Sequence, residues 1–255
     1  MAFKQRLRAA LFASGIHLSI SLLVAIIAAA FVLLIWYPEP YSKFAGGSRL
    51  FLLLVVVDVV CGPVLTLVLF NPAKQRTELM RDLFLVSFIQ IAALVYGVSS
   101  VWHARPLFLV SEVDRFKVIA APDLEADALV ELPYGLKPQF FRGPSAVAIR
   151  APQDLQERQK VLRESVLGGR DYAERPEFYI PYNYANALKS LTHAKPLLVF
   201  LQKRPDQSAS AQKLALDKKA DLSHWLYLPI VARQDWVAVL DNNGQIQGFL
   251  EGDGF

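Results

Sequence analysis

Three long apolar runs occupy the first part of the chain, over about residues 13–36, 50–70 and 83–101. An α-helix rises about 1.5 Å per residue, so about 20 apolar residues cross the roughly 30 Å hydrocarbon core of a bilayer. Each of the three runs approaches or exceeds that length. The sequence therefore predicts a membrane protein in which residues 1–102 form a transmembrane bundle of three helices, one for each run.

The first run also has features of a signal peptide. It begins with basic residues, and the three alanines at 28–30 resemble a cleavage site. The apolar run continues past that site through residues 31–36, whereas a cleaved peptide normally stops being apolar there. We therefore expect an uncleaved membrane anchor, with a removed signal peptide as the alternative.

The distribution of Lys and Arg in the short flanks predicts the orientation in the membrane. The N-terminal flank and the loop 71–82 each carry three such residues, whereas the loop between the first two runs carries two. Because cytoplasmic loops are enriched in Lys and Arg, both three-residue flanks are expected in the cytoplasm. Tyr37, Tyr41 and Trp102 lie at the opposite ends, where aromatic side chains anchor helices at the interface. The chain after Trp102 is then expected outside the cytoplasm.

The exported region is formally neutral. Eight of the 27 Lys and Arg residues and four of the 23 Asp and Glu residues precede His103, which leaves 19 of each sign. The net charge of +4 thus belongs to the membrane section, and no nucleic-acid partner is predicted, because such binding needs a basic face. The single cysteine, Cys61, lies in the second run. No intrachain disulfide can form, so the exported domain must be stabilised by its hydrophobic core alone.

Residues 103–255 have the pattern of an α+β domain. Strands are predicted over 106–113 and 116–119, and helices over 154–167, 184–191 and 208–219. In the first of these helices, apolar residues share one face: Leu155, Val161, Leu162 and Val166. The C-terminal segments 236–240 and 245–250 flank an Asn243-Gly244 turn. An Asn-Gly pair between apolar segments is a strong hairpin signal, so a C-terminal β-hairpin is predicted.

No catalytic, cofactor or metal site is predicted. The exported histidines, His103, His193 and His224, are not in a metal-ligand spacing. The sequence has no phosphate-binding loop, dinucleotide fingerprint or serine-hydrolase elbow. Paired carboxylates in the exported region are more typical of helix starts and solvated surfaces. We therefore expect a protein that is not an enzyme, and an exported enzyme on a membrane anchor is the less favoured class.

One carboxylate, Asp58, lies inside the second apolar run. A charged side chain near the hydrocarbon centre costs about 3 kcal/mol on insertion scales, so it usually faces a partner or a polar cavity. Asp58 lies eight residues below Leu50, which is about 12 Å deep at 1.5 Å per residue. Gln90 in the third run is about one helical turn away in depth and is the expected partner. His17 is too close to the cytoplasmic end to reach Asp58, and it lies nearer in depth to Thr66.

The residues around Asp58 admit three interpretations. Asp58 and Gln90 form a polar pair that holds the bundle together, or the site docks a transmembrane segment of another protein. Alternatively, Asp58 is a proton or ion site of a small membrane transporter or channel subunit. Pro63 is expected to bend its helix, with Gly62 beside it. The candidate intramembrane site comprises Asp58, Gly62, Pro63, Thr66 and Gln90.

Several short strings in the chain resemble the TfpX/TfpZ family of type IV pilin accessory proteins. They are D-V-V-C-G-P-V-L-T-L-V-L-F-N-P-A-K at 58–74, R-D-L at 81–83, Q-I-A-A-L-V-Y-G at 90–97, A-R-P at 104–106 and D-R-F at 114–116. Besides the candidate site, the residues that match the family pattern are Arg105, Pro106, Asp114, Arg115 and Phe116. None of these strings is a catalytic signature.

The resemblance implies a multi-pass protein of the Gram-negative inner membrane with a periplasmic C-terminal domain over 103–255. It implies a non-enzymatic accessory role in type IV pilus biogenesis. The partners would be type IV pilin, inner-membrane pilus assembly proteins and the lipid bilayer. On this hypothesis the helix bundle contacts the transmembrane helix of pilin, and the periplasmic domain contacts its head.

Overall fold

The structure is a computed structural model, and it describes residues 2–44, 47–125, 127–130, 132–166 and 169–255. The chain divides into two compact units. The first ends at Ala104 and contains the long helices, and the second contains everything from Arg105 onward together with a short segment that begins at Glu39. Each unit is described separately below.

The first unit is built from long apolar helices. They are α1 (Ala2–Phe31), which continues as a π-helical turn (Val32–Trp36), α3 (Gly47–Leu69) and α4 (Arg76–His103), while the short α2 (Tyr41–Phe44) belongs to the second unit. The helices Phe3–Trp36 and Arg76–His103 are long and apolar enough to cross a membrane, and α3 contains a shorter apolar stretch, Val59–Leu69. Large apolar side chains on them are exposed, for example Leu34 at 75% and Phe84 at 70%. Such exposure suits lipid better than water.

The helices are longer than the apolar runs predicted. Helix α1 begins at Ala2 rather than near residue 13, and α4 begins at Arg76 rather than near residue 83. No Pro or Gly interrupts residues 2–12 or 76–82, so backbone hydrogen bonding continues into the polar flanks. An apolar run indicates where lipid-compatible side chains lie, and it does not indicate where the helix ends.

The aromatic residues at the ends of the first unit pack against each other. The ring centroids of Trp36 and Trp102 are 4.7 Å apart, and the Tyr37 hydroxyl donates to the Val101 carbonyl oxygen at 3.1 Å. Tyr37 is 1% exposed, so its ring contacts protein on nearly all sides, and its role as an anchor at the membrane interface stays a prediction. Tyr41 lies in the second unit, where it packs edge-on against Phe249. The hydroxyl of Tyr37 thus has a hydrogen-bond acceptor, and the ring of Tyr41 makes the edge-to-face contact that is common between aromatic side chains.

The second unit is an α+β domain around a mixed sheet of eight strands. The strands are β1 (Pro106–Ser111), β2 (Phe116–Ala120), β3 (Ser145–Ile149), β4 (Tyr179–Pro181), β5 (Lys195–Pro196), β6 (Leu226–Val231), β7 (Trp236–Leu240) and β8 (Ile246–Glu251). Their order in the sheet is β4-β3-β1-β2-β6-β7-β8, with β5 paired to β6. The helices are α5 (Leu155–Val166), α6 (Tyr184–Ser190), α7 (Leu197–Lys203) and α8 (Ser208–Lys218).

Two pairings position the features discussed below. Strands β1 and β3 are parallel, with Ser111 opposite Ala148, so both strands end at the same edge of the sheet. Strands β1 and β2 form a hairpin in which the Glu112 N–H donates to the Arg115 carbonyl oxygen at 2.9 Å. The predicted C-terminal hairpin is present as β7 and β8. Its turn contains Gly244 at a φ of +74°, a conformation that glycine adopts readily.

The sheet is covered by apolar side chains on both faces, including Phe108, Phe116 and Tyr227, each 1% exposed or less. The amphipathic helix predicted over 154–167 is present as α5, but most of its apolar face is not covered. Val161 is buried, whereas Leu155, Leu162 and Val166 are exposed. Periodicity identified the helix correctly, and its packing partner depends on the tertiary arrangement.

Candidate functional site

A cluster of hydrogen-bonded polar groups lies between the three long helices. We call it the polar cluster, and its members are Ser14, His17 and Ser21 of α1, Pro63 and Thr66 of α3, and Gln90 of α4. On α1 the polar residues are three and four positions apart, which places them on one face of the helix. Ser19 is the other polar side chain along residues 14–21, and its hydroxyl donates to the Gly15 carbonyl oxygen of the same helix at 3.0 Å.

His17 joins α3 to α4 through its two ring nitrogens. Its Nε2 lies 2.7 Å from the Gln90 Oε1, and its Nδ1 lies 2.6 Å from the Thr66 Oγ1. A carboxamide oxygen can only accept, so Nε2 carries a proton and donates. In the neutral ring Nδ1 then accepts from the Thr66 hydroxyl. Both ring nitrogens of His17 are thereby hydrogen-bonded to side chains of the neighbouring helices.

Gln90 also bonds back to α1, because its Nε2 donates to the Ser21 Oγ at 2.8 Å. Its carboxamide passes close to the backbone of α3 at Gly62. A Cβ added at Gly62 would lie only 2.8 Å from the Gln90 Cδ, closer than real Cβ contacts. The absence of a side chain at Gly62 is therefore what admits the carboxamide between the helices.

Pro63 remains inside α3, which continues to Leu69. The hydroxyl of Ser14 donates to the Pro63 carbonyl oxygen at 2.8 Å. Thr66, one turn further along, is 2% exposed. The segment around Pro63 is thus bonded to α1 by two side chains, Ser14 and His17.

A groove runs beside the polar cluster between α1 and α4. We call it the α1–α4 groove; its cavity volume is about 210 Å³. The groove is lined by residues of α1 between 17 and 25, by Val55 of α3 and by residues of α4 between 87 and 94. His17, Ser21, Ser87 and Gln90 supply its polar groups. Its apolar lining includes Ile20 and Ile91, whose side chains are largely exposed, so the groove is open to the surroundings.

The structure brings four of the five predicted site residues together: Gly62, Pro63, Thr66 and Gln90. Asp58 lies in α3, and its side chain is outside the described residues, so its pairing with Gln90 stays a prediction. The proximity of His17 to Thr66, expected from depth, is confirmed by their hydrogen bond. Ser14 and Ser21 were missed, although their spacing from His17 along α1 was a readable signal.

The remaining predicted residues are in the second unit, where they form the start of the sheet. Pro106 begins β1 and is buried; Phe116 begins β2, is 0% exposed and packs edge-on against Tyr182. In the β1–β2 turn, Arg115 donates to both carboxylate oxygens of Asp114, at 2.8 and 3.1 Å. These bonds lower the pKa of Asp114 below its usual range. Arg105 is 8% exposed, and its carbonyl oxygen accepts from the Ala121 N–H.

The part of the chain that the structure describes contains no group of three or more His, Cys, Asp or Glu side chains able to hold a metal ion. Cys61 is exposed on α3 and free.

Comparison with known proteins decides the family. A family model described as fimbrial assembly protein FimB matches residues 5–46. The fimbrial assembly protein of serogroup I from Dichelobacter nodosus is 36% identical over 99% of this chain and 98% of its own length. The chain belongs to the fimbrial assembly protein family. Another family member, from serogroup E1 of the same organism, is 34% identical over the same shares of both chains.

Membership of this family confirms the resemblance to pilin accessory proteins drawn from the sequence. A further relative, the fimbrial assembly protein of serogroups C1 and C2, is 41% identical over 49% of this chain and 96% of its own length. No solved structure matches the chain. The family-model match over 5–46 includes the polar stripe of α1, with Ser14, His17 and Ser21.

Proposed function

We propose that the protein is a non-enzymatic inner-membrane accessory factor for type IV pilus biogenesis, and that its α1–α4 groove docks the transmembrane helix of the fimbrial subunit, pilin. The names of the relatives support the biological process, because they are fimbrial assembly proteins. The observation that carries the docking role is the groove itself. It combines exposed apolar walls with polar groups that are already held in place by hydrogen bonds.

The proposed arrangement has α1, α3 and α4 crossing the inner membrane, with the N-terminus in the cytoplasm and the domain from Arg105 onward in the periplasm. The lengths of α1 and α4, their exposed apolar side chains and the basic flanks support it. A pilin is expected to present a membrane helix and an external head. An accessory factor with a helix bundle and an external domain can contact both parts.

The lining of the groove suits a transmembrane helix. Inside a bilayer, helices associate through close packing and interhelical hydrogen bonds, since lipid is as apolar as their side chains. Ile20 and Ile91 provide packing surface, and the exposed hydroxyl of Ser87 is available to a partner. The polar cluster holds His17, Ser21 and Gln90 through mutual bonds. This arrangement suits positioning of a partner helix better than transfer of protons along a path.

Site-specific photo-crosslinking in cells tests the docking role. A benzophenone amino acid is placed at Ile20 or Ile91 of the full chain, and crosslinked products are probed for the fimbrial subunit. Leu22 is the matched control, because it is exposed on α1 but lies about 200° around the helix from Ile20 and does not line the groove. We expect the crosslink from the two groove positions and not from Leu22. Equal capture from all three, or capture from Leu22 alone, contradicts docking in the groove.

A further inference from the structure

A second cavity lies in the C-terminal unit, at the edge of the sheet where β1 and β3 end. We call it the strand-end cleft; its volume is about 710 Å³, and residues 111–115, 148–152, 171–172 and several residues between 186 and 193 line it. The carboxyl ends of parallel strands are a common position for ligand sites in mixed and parallel sheets. Sites for small ligands typically have volumes of about 300–1,000 Å³. The strand-end cleft has the position and the size of a binding site.

Most charged groups of the cleft are already paired. Arg115 donates to Asp114 at 2.8 Å, and Lys117 donates to the Asp171 carboxylate at 3.2 Å. Arg150 makes two hydrogen bonds to Glu157, at 2.9 and 2.7 Å. These partners neutralise each other within the domain, so they hold the walls of the cleft rather than attract a ligand of one charge.

Unlike these groups, Glu112 has no hydrogen-bonded partner of opposite charge in the described part of the chain. Its side chain is only 15% exposed, and the nearest cation is the Arg115 Nε at 3.9 Å, which is beyond hydrogen-bond distance. Arg115 is closer to Asp114. No donor among the described residues makes a hydrogen bond to the Glu112 carboxylate, whose pKa is raised by burial and then by Asp171. The Glu112 carboxylate oxygens are not enclosed and reach the open space of the cleft. A partly buried carboxylate with a raised pKa on the lining of a cavity is a candidate binding group.

We propose that the strand-end cleft binds a ligand through a primary ammonium group that pairs with Glu112. An ammonium supplies three donors and a positive charge, which are what the Glu112 carboxylate lacks. Lys189 and His193, exposed on the lining, are placed to contact polar parts of the same ligand. The cavity is far larger than an ammonium group, so the ligand carries the amine on a longer molecule.

A primary ammonium group can come from a polypeptide, as a lysine side chain or an N-terminus, or from a free small amine. The assignment of the cleft goes beyond docking in the α1–α4 groove, since it concerns separate residues in a separate unit. Its test therefore needs neither pilin nor assembled pili.

The test uses the purified full chain in phosphatidylcholine nanodiscs and a pool of N-acetylated pentapeptides randomised at every position, in which lysine side chains are the only primary ammonium groups. Peptides retained by the protein are sequenced, and the same capture is repeated in excess cadaverine, a small diamine. We expect lysine to be enriched at least fivefold over norleucine among retained peptides. Loss of the enrichment in cadaverine assigns the site to small amines as well, and persistence assigns it to polypeptides; either result supports the ammonium site.

Matched variants attribute the enrichment to Glu112. Glu112→Gln should abolish it, and Glu112→Asp, which keeps the charge, should retain part of it. Asp217→Asn is the control because Asp217 is an exposed carboxylate on α8 that does not line the cleft. The proposal is overturned by an absence of lysine enrichment in the unchanged protein. Enrichment that survives Glu112→Gln at full strength overturns it equally.

Discussion

The imidazole of His17 and the carboxamide of Gln90 meet at 2.7 Å, although the two residues are 73 positions apart in the chain. This contact connects α1 to α4 directly, while Thr66 of α3 bonds the other nitrogen of the same ring. One histidine of α1 therefore bonds to both of the other long helices. The groove that we propose as a pilin-docking site lies beside this junction, so the junction determines the spacing of its walls.

Replacing Gln90 by leucine should weaken the bundle. The change removes the acceptor of the His17 Nε2 and the donor to the Ser21 Oγ, and interhelical hydrogen bonds in membranes contribute about 1 kcal/mol. The expected loss of unfolding free energy is of that size, measured by denaturant titration of the full chain in mixed micelles. Phe88→Leu is the control, because Phe88 is an exposed apolar residue on the same helix. Equal stability of the Gln90 variant and the control would show that the bonds are not stabilising.

Replacing Gly62 by alanine should have a similar effect through packing. The new methyl group overlaps the Gln90 carboxamide, which must leave its bonds to His17 and Ser21. The same titration should show a loss of about 1 kcal/mol or more. Gly15→Ala is a matched control, because nothing lies within 4 Å of a Cβ there. It should be neutral or slightly stabilising, since alanine favours a helix over glycine.

A double variant shows whether Gly62→Ala destabilises the bundle through steric overlap with Gln90 or through another cause. If Gly62→Ala acts by displacing Gln90, then adding Gln90→Ala should remove the steric overlap. The double variant should then lose less unfolding free energy than the sum of the losses of the two single variants. A double-mutant cycle on the same titration measures this difference. Strictly additive losses would mean that Gly62 matters for a reason unrelated to Gln90.

Glu112→Gln should stabilise the C-terminal domain at neutral pH. The pKa of Glu112 is raised by burial in the folded state, so between the unfolded and folded pKa values the folded protein holds more protons. Stability attributable to this group therefore falls as pH rises through that window, and the charged form is destabilising above it. We expect greater hydrogen-exchange protection of β1 and β3 in the variant at pH 7. The difference in protection between the variant and the unchanged protein should vanish below about pH 4, near the pKa of a glutamate in the unfolded chain. A less protected variant at pH 7 would mean that Glu112 is structural.

The start of α5 should be sensitive to acid. Hydrogen bonds from Arg150 and then from the backbone N–H of Gln153 lower the pKa of Glu157 to about 2. Its contribution to stability is therefore complete above the unfolded pKa of about 4.3 and is lost as pH falls towards the folded value. Exchange protection of α5, corrected for the intrinsic rate, should decline over this range. Glu157→Gln should remove that decline, and an unchanged decline in the variant would assign it to another carboxylate.

Local patterns were sufficient for much of the second unit. Two apolar segments flanking an Asn-Gly turn predicted the β7–β8 hairpin, and 3.6-residue periodicity predicted α5. Strand β3 was not predicted, because Gly143 and Pro144 before it indicated a turn and its few residues carry no strong alternation. Helix α7 was missed because the short apolar segment Leu197–Lys203 has no pattern that separates a helix from a strand.

The apolar helices, the polar residues within them, the α+β character of the remainder and the family resemblance could all be predicted from the sequence. These depend on side-chain type and spacing, which are local properties. The bonds from Gln90 to His17 and Ser21, and the position of Glu112 on a cleft without a hydrogen-bond donor from the described residues, are visible only in the folded protein. Helix packing and the parallel pairing of β1 with β3 bring together residues that are distant in the chain. Hydrogen bonding and burial depend on that proximity, and spacing along the sequence does not report it.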